Sequence, residues 1–425
     1  MLILQPQFRA FANPGQFERF VQGAGSPAAR GELVGLSHYD WHGRKIFFEP
    51  YFRALLLHTC SDAKTLHALH EGITSDPLYA MVGAHMEVSV PALSKANATR
   101  PVEPFLGVLS GVLSAIDHLP SSAKVLRQVD ASTLRNISPL LEDVKVFDAT
   151  TFPLPDKIAH WAKQGRHKAG FKLQLRLSGG YGGLDRILFT PAAGNDNPSF
   201  LRLLDLQEQA GAIYLFDTGY FKIETYARIV ETGNHFVTPL HGNITVEVVE
   251  DRPLPSEPLS SGYLVHKDQI VRIGTGDRES AHLYRLVDAT DSRGRRRQML
   301  TDLLDLTVDQ ICALRRYRWT VETVIRWLKK HLGLDHLISY SPRGVILQVT
   351  MALIVYGLLV LYNQRQPLSV ARLRRKIRTD LHQALYEWGW KQGYQAAFAE
   401  HSGPGPPVRI PQLAAGYPQV AEGGK

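Results

Sequence analysis

Cysteine is almost missing from this chain. Cys60 and Cys312 are the two cysteines among 425 residues, and neither belongs to a Cys-x-x-Cys pair. Neither a disulfide framework nor a thiolate zinc site is thereby suggested, and a reducing, cytoplasmic compartment is expected. Metalloprotease spacing is absent as well, because His67-x-x-His70-Glu71 has neither the H-E-x-x-H order nor its inverse. Gly165-x-x-x-x-Gly170 leads into Phe171-Lys172 and a strand, not into Lys-Ser/Thr and a helix, so a phosphate loop is excluded. The opening Met1-Leu2-Ile3-Leu4-Gln5-Pro6 has no basic region and no adequate apolar run, so no secretory signal is expected. One long hydrophobic run exists, Val345 to Tyr362, but Gln348 and Thr350 interrupt it and it barely reaches membrane length. It is expected to be a buried core helix, with no membrane partner. Charge of one sign is in small excess: 48 Lys and Arg against 40 Asp and Glu give +8, which favours an anionic partner without identifying one.

What is present is a chain long and apolar enough, at 44% hydrophobic residues, for two or three domains. Residues 1–136 read as helical, with three- and four-residue apolar spacing over Tyr51 to Leu57, Ala63 to His70, Leu78 to His85 and Leu106 to Ile116. Asp76-Pro77 and Ser89-Val90-Pro91 each supply an N-cap and an early proline. Two short helices with a tight join would resemble a helix-turn-helix, its second helix carrying Lys95 and Arg100 as DNA contacts, although an ordinary helical hairpin has the same pattern.

The pattern then changes to strands. Val144 to Phe147 is an apolar run ending at Asp148; Phe171, Leu173, Leu175 and Leu177 alternate on one face; Arg186 to Thr190 follows the glycine-rich turn at 179–183. An antiparallel meander is expected. A helix over Ser199 to Gln209 leads to the strand Ala212 to Phe216, which ends at Asp217, and a further helix spans Ile223 to Val230. Each of two buried strands therefore ends in an aspartate. Short strands at Val246 to Val249, Tyr263 to His266, Ile270 to Ile273 and Leu283 to Val287 predict a β-rich insertion, with Arg293, Arg295, Arg296 and Arg297 in a basic loop beside it.

The segment Arg315 to His331 predicts one helix. At about 100° per residue, Arg318, Glu322 and Lys329 lie within about 40° of one another, while Val321, Ile325, Leu328 and Leu332 line a core-facing stripe. One acid and two bases then share a face that could offer a metal ligand between phosphate clamps. The same face could equally be a surface ion pair.

Asp148-Ala149-Thr150-Thr151, Asp217-Thr218-Gly219-Tyr220 and the Arg318-x3-Glu322-x6-Lys329 helix together resemble the three blocks of DDE transposases of the insertion sequence four family, over about Val144 to His331. The resemblance implies a mixed α/β fold with a ribonuclease-H-like catalytic domain at 137–365, interrupted by the β-rich insertion at 244–300. A helical N-terminal DNA-binding domain at 1–136 would precede it, and a basic segment with a disordered tail at 366–425 would follow. It implies catalytic and metal-ligating roles for Asp148, Asp217 and Glu322, which would hold two Mg²⁺ ions with Mn²⁺ as a substitute. Arg318, Lys329 and Arg315 would contact double-stranded DNA at the element ends and target, with a homodimer assembling on it. This chain departs from the family by Arg315 in place of a tyrosine and Thr218 in place of an arginine. Hairpin-forming relatives stack a flipped base on an aromatic of the insertion; no Trp lies there, so Phe236, Tyr263 or Tyr284 would have to serve. A catalytically silent DNA-binding protein and a simple DNA nuclease remain open as alternatives.

Overall fold

The computed structural model describes residues 45–362 except 62, 118–135, 156, 166–167, 179–182, 193–199, 202, 205, 207–209, 221, 258, 333 and 335. The expected turn at 179–183 falls almost wholly outside the described residues, as does the expected basic segment and tail at 366–425.

The first part is helical: α1 (Phe48–Cys60), α2 (Leu66–Ser75), α3 (Pro77–Met81), α4 (Val90–Thr99) and α5 (Glu103–Asp117). The caps form as the sequence predicts. Asp76 accepts the Leu78 amide at 2.8 Å and Ser89 accepts the Ala92 amide at 3.4 Å, satisfying donors that a helix start leaves open. The tight join expected between these two helices is not formed: α3 is a single short turn and residues 82–89 separate it from α4. Asp76-Pro77 starts a helix, but Gly83 at φ 71° and the extended stretch after it prevent a compact helix-turn-helix.

One mixed sheet runs through the rest. Its strands are β1 (Val144–Leu154), β2 (Lys163–Gly165), β3 (Lys168–Ser178), β4 (Gly183–Pro191), β5 (Ile213–Leu215), β6 (His235–Pro239), β7 (Val246–Asp251), β8 (Leu264–Ile273), β9 (Tyr284–Thr290) and β10 (Arg296–Thr301). The order is β2-β3-β1-β5-β6-β10-β9-β8-β7, with β4 also on β3. β3 runs antiparallel to β1 and β4, whereas β5 is parallel to both β1 and β6. The insertion extends this sheet through β10, which pairs antiparallel with β6. Two readings need correction here. The strands expected at Tyr263 to His266 and Ile270 to Ile273 are one strand, β8, which starts at Leu264, and Arg296 and Arg297 lie in β10 instead of a loop.

Side-chain alternation divides the core between the two faces of the sheet. Val144, Val146, Ile213 and Leu215 join one apolar cluster, while Phe147, Tyr214 and Phe216 join the other. Against the first face lie α1 to α5 together with α7 (Val308–Tyr317), α8 (Trp319–His331) and α9 (Pro342–Tyr362); against the second lie Phe200, Leu203, Leu204 and the helix α6 (Ile223–Glu231). Arg176, 1% exposed, crosses to the second face and donates to the Leu203 and Leu204 carbonyls at 3.0 and 3.1 Å. The long apolar run is the core helix α9, buried on all sides over Met351–Leu358. Among the described residues, no helix is long and apolar enough to cross a membrane.

α9 packs against α5 through Gly357, where an added Cβ would lie 2.4 Å from Val112 Cγ1 and 3.4 Å from Ile116 Cδ1. Glycine is required here by the closeness of the neighbouring helix. Gly357→Val should lower stability by about 1–3 kcal/mol through overpacking, read as a lower denaturant midpoint at unchanged slope.

Candidate active site

The register of the parallel strands brings the first two acids together. β1 and β5 pair from Val144 opposite Ile213 to Val146 opposite Leu215, and both chains carry an aspartate two residues beyond that last pair. Asp148 and Asp217 share the parity of Val146 and Leu215, so both face the side on which α8 packs. Asp148 is not at the end of its strand, as the sequence suggests. β1 continues to Leu154 because antiparallel β3 pairs with it as far as Ala169, and Pro153 is tolerated where β5 no longer occupies the other edge.

Each aspartate is oriented by the amide that follows it. Ala149 N–H donates to Asp148 Oδ1 at 2.9 Å, and Thr218 N–H donates to Asp217 Oδ1 at 2.8 Å. The third acid arrives on α8. The expected single helix over Arg315 to His331 is two helices that abut at Arg318, whose dihedrals stay helical at φ −52° and ψ −29°. α7 is set by a capping box in which Thr307 and Gln310 satisfy each other's amides. Arg318 is 3% exposed. Its Nη2 donates to Glu322 Oε1 and lies 3.5 Å from Asp217 Oδ2. Its Nε and Nη1 have no hydrogen-bond partner among the described residues, so the two carboxylates are its main compensation.

Burial pushes the Asp148 carboxyl up to about 6; Arg318 and the Ala149 amide oppose this, and the charges of Glu322 and Asp217 reinforce it. Lys329 completes the cluster: Nζ donates to the Thr151 carbonyl at 3.2 Å and sits 4.7 Å over the Phe152 ring. Burial lowers its pKa, and the nearby Asp148 raises it. Phe152 is itself fixed by stacking on Phe171 at 4.7 Å.

Other expected contacts fall elsewhere. Arg315 faces a recess beside Arg296 and Arg297, Lys95 is exposed on α4, and Arg100 donates to the Ile46 carbonyl at 3.2 Å. The aromatics considered for base stacking cannot serve in this arrangement, since Phe236 and Tyr284 are 0% exposed and Tyr263 7%. Trp319, next to Arg318 in sequence, is 37% exposed and has Arg295 5.7 Å over its ring.

Strands in the order β4-β3-β1-β5-β6 with this mix of directions, one acid on β1, a second just after the adjacent β5 and a third on a later helix, define a ribonuclease-H-like core. The chain belongs to the transposase DDE domain family, whose model matches residues 139–358, over half its length. It is similar, at 26% identity over 287 residues, to "Probable transposase for insertion sequence element IS5377" of Geobacillus stearothermophilus, covering 66% of this chain and 73% of that protein. It is 27% identical over 286 residues to a Sinorhizobium fredii protein named as transposase y4zB, covering 66% and 74%. Among solved structures, a piggyBac transposase synaptic complex with hairpin DNA aligns at TM-score 0.43 and 10% identity, covering 87% of this chain and 78% of that one. The protein is thus a DDE transposase, an enzyme family that cleaves DNA and transfers strands and that generally uses divalent metal ions.

The donor set fits such ions. Three carboxylates offer hard oxygen ligands, and the buried Asp148 carboxylate lacks a full cationic partner. Among the described residues no three acids close on one common point, so the set is not a single-ion cage. A raised carboxyl pKa has a defined effect on stability. Below about pH 4 Asp148 is protonated in folded and unfolded chains alike; from there to about pH 6 the folded chain holds its proton more tightly, so metal-free stability falls as pH rises. Asp148→Asn should therefore raise the unfolding temperature of metal-free protein at about pH 7.5, by about 1–2 kcal/mol in stability after allowance for partial exposure, and leave it unchanged at about pH 3.5. Thermal denaturation at the two pH values checks this.

Proposed function

We propose that this transposase excises and inserts an insertion sequence by binding its terminal inverted repeats, cutting at the element ends and joining them to target DNA. The observation that carries the reading is the convergence of Asp148, Asp217 and Glu322 around Arg318, on two neighbouring strands and the helix after the insertion. The residues that would hold two Mg²⁺, or Mn²⁺ in their place, are Asp148, Asp217 and Glu322. When bound, these cations supply charge stabilisation at the phosphoryl oxygens during in-line displacement.

The chain's own groups do the rest. The Ala149 and Thr218 amides aim the two aspartates. Arg318 was expected to fork onto a DNA phosphate, but its burial between Asp217 and Glu322 favours a positioning role. Lys329, half-buried with its ammonium close to Asp148, is the better placed phosphate contact near the cleavage point. The exposed Lys95 on α4 is proposed to contact the repeats, and pairing of two ends in one complex is proposed to require a homodimer.

Asp148→Ala, Asp217→Ala and Glu322→Ala should each reduce Mg²⁺-dependent cleavage of end DNA by about 10³-fold or more while leaving the far-ultraviolet circular dichroism intact. Substantial cleavage by two of the three would remove the assignment. With a pre-cleaved 3′-OH end and a target duplex, joined product identifies strand transfer, whereas hydrolysis alone identifies a nuclease.

A further inference from the structure

α7 carries none of the three acids, but its placement decides where α8 and Glu322 begin, because the two helices abut at Arg318 with helical dihedrals. Its buried side chains Ile311, Cys312, Ala313 and Leu314 belong to the first apolar cluster. Apolar contact is non-directional, so it holds the helix on the core without fixing it along its own axis. Polar groups remove that freedom, and Asp309 in the first turn of α7 is their centre.

Asp309 receives donors from two other parts of the chain. Asn136 Nδ2 donates to its Oδ2 at 2.9 Å, the Ser260 hydroxyl to the same oxygen at 2.5 Å, and the Ser261 amide to Oδ1 at 3.0 Å. Asn136 also donates to the Ser260 hydroxyl at 2.6 Å, which closes the group. Burial opposes the charge of Asp309, but the hydrogen bonds from Ser260 and Ser261 outweigh it and hold the carboxyl below its usual value. Two turns further along the same face of α7, Arg316 donates to the Ser261 carbonyl at 2.9 Å. One helix face thus holds Ser261 by both its amide and its carbonyl. The turn that carries Ser261 is closed by its own backbone, with Gly262 N–H on the Leu259 carbonyl and Leu259 N–H on the Tyr263 carbonyl, both at 2.8 Å. The insertion also holds the approach to α7: Arg285, paired with Asp268 at 2.7 Å, donates to the Leu306 carbonyl and to the Leu304 carbonyl at 3.2 Å, and Arg252 donates to Leu304 at 2.6 Å.

We propose that Asp309 is a positioning residue for the third acid: by joining the segment before β1, the turn between β7 and β8, and α7, it sets where Glu322 stands relative to Asp148. The inference rests on the reading of Asp148, Asp217 and Glu322 as cation ligands. Asn136 lies on the segment that enters β1, the strand of Asp148, and Asp309 lies on the helix that leads into Glu322. One carboxylate therefore fastens the carriers of two acids to each other, and the Ser260 and Ser261 contacts add the insertion as a brace. The link acts over a helical path of about 20 Å, so Asp309 works through Glu322 and not on the reacting atoms. A charged acceptor suits this task, since hydrogen bonds to a carboxylate are stronger than those between neutral groups.

The test follows Mn²⁺ binding by the full-length protein without DNA, read from the free-ion signal in electron paramagnetic resonance. Asp309→Ala should weaken Mn²⁺ binding by about tenfold and Glu322→Ala by at least as much. The double variant should lose no more than Glu322→Ala alone, because Asp309 acts only through Glu322. Asp309→Asn, which keeps the shape and one acceptor oxygen, should fall between wild type and Asp309→Ala. Arg316→Met, at an exposed side chain, should weaken binding in the same direction and carries the test if Asp309→Ala loses its far-ultraviolet circular dichroism. A lowered unfolding temperature with unchanged Mn²⁺ affinity in every folded variant at 309 and 316 means a purely structural role and overturns the proposal, as do losses in the double variant that add. Failure of the underlying reading looks different: Asp148→Ala and Glu322→Ala would then both bind Mn²⁺ as wild type does.

Discussion

Arg318 brings three parts of the chain together through charge. A guanidinium buried to 3% exposure must be compensated, and the groups that compensate it are Asp217 after β5 and Glu322 one turn further along α8. The cost of leaving it unpaired therefore acts on the distance between a strand end and a helix. Asp148, drawn in by the parallel register of β1 and β5, lies close enough for both acids to raise its pKa and for Arg318 to lower it. The packing around the cluster serves this arrangement: the capping box starts α7, Ile325, Leu328 and Leu332 hold α8 on the core, and α9 backs that core from the N-terminal side.

Much of this was legible from residue patterns. Strict alternation over Phe171 to Leu177 announced β3, and apolar runs ending in Asp148 and Asp217 announced the two adjacent strands, because parallel buried strands read as continuous hydrophobic stretches. The spacing from Arg318 to Glu322 to Lys329 placed all three on one side of a helix, and the structure brings each of them near Asp148. Short alternating runs after residue 244 announced the strands that widen the sheet.

What was not legible depends on tertiary partners. Pro153 normally ends a strand, but β1 passes through it because β3 is long enough to keep pairing on the other side. Arg296 and Arg297 look like a solvated loop, yet pairing with β9 turns them into a strand with one arginine tied to Asp288 and the other beside Arg315. Arg315 and Arg318 themselves would be read as surface residues from charge alone, and nothing local says that they are buried. The apolar cluster that runs from α1 through the first sheet face to α9 is likewise invisible to spacing, since it joins helices on opposite sides of the catalytic core in sequence.

The central claim is that Asp148, Asp217 and Glu322 together hold two divalent cations. Affinity cleavage tests it most directly: the full-length protein is incubated with Fe²⁺, ascorbate and peroxide, and the backbone breaks made by locally generated hydroxyl radicals are mapped by mass spectrometry. The account predicts breaks clustered near residues 148, 217 and 322 that disappear when excess Mg²⁺ competes for the site. Breaks confined to other segments, or breaks at these positions that Mg²⁺ does not suppress, would contradict it.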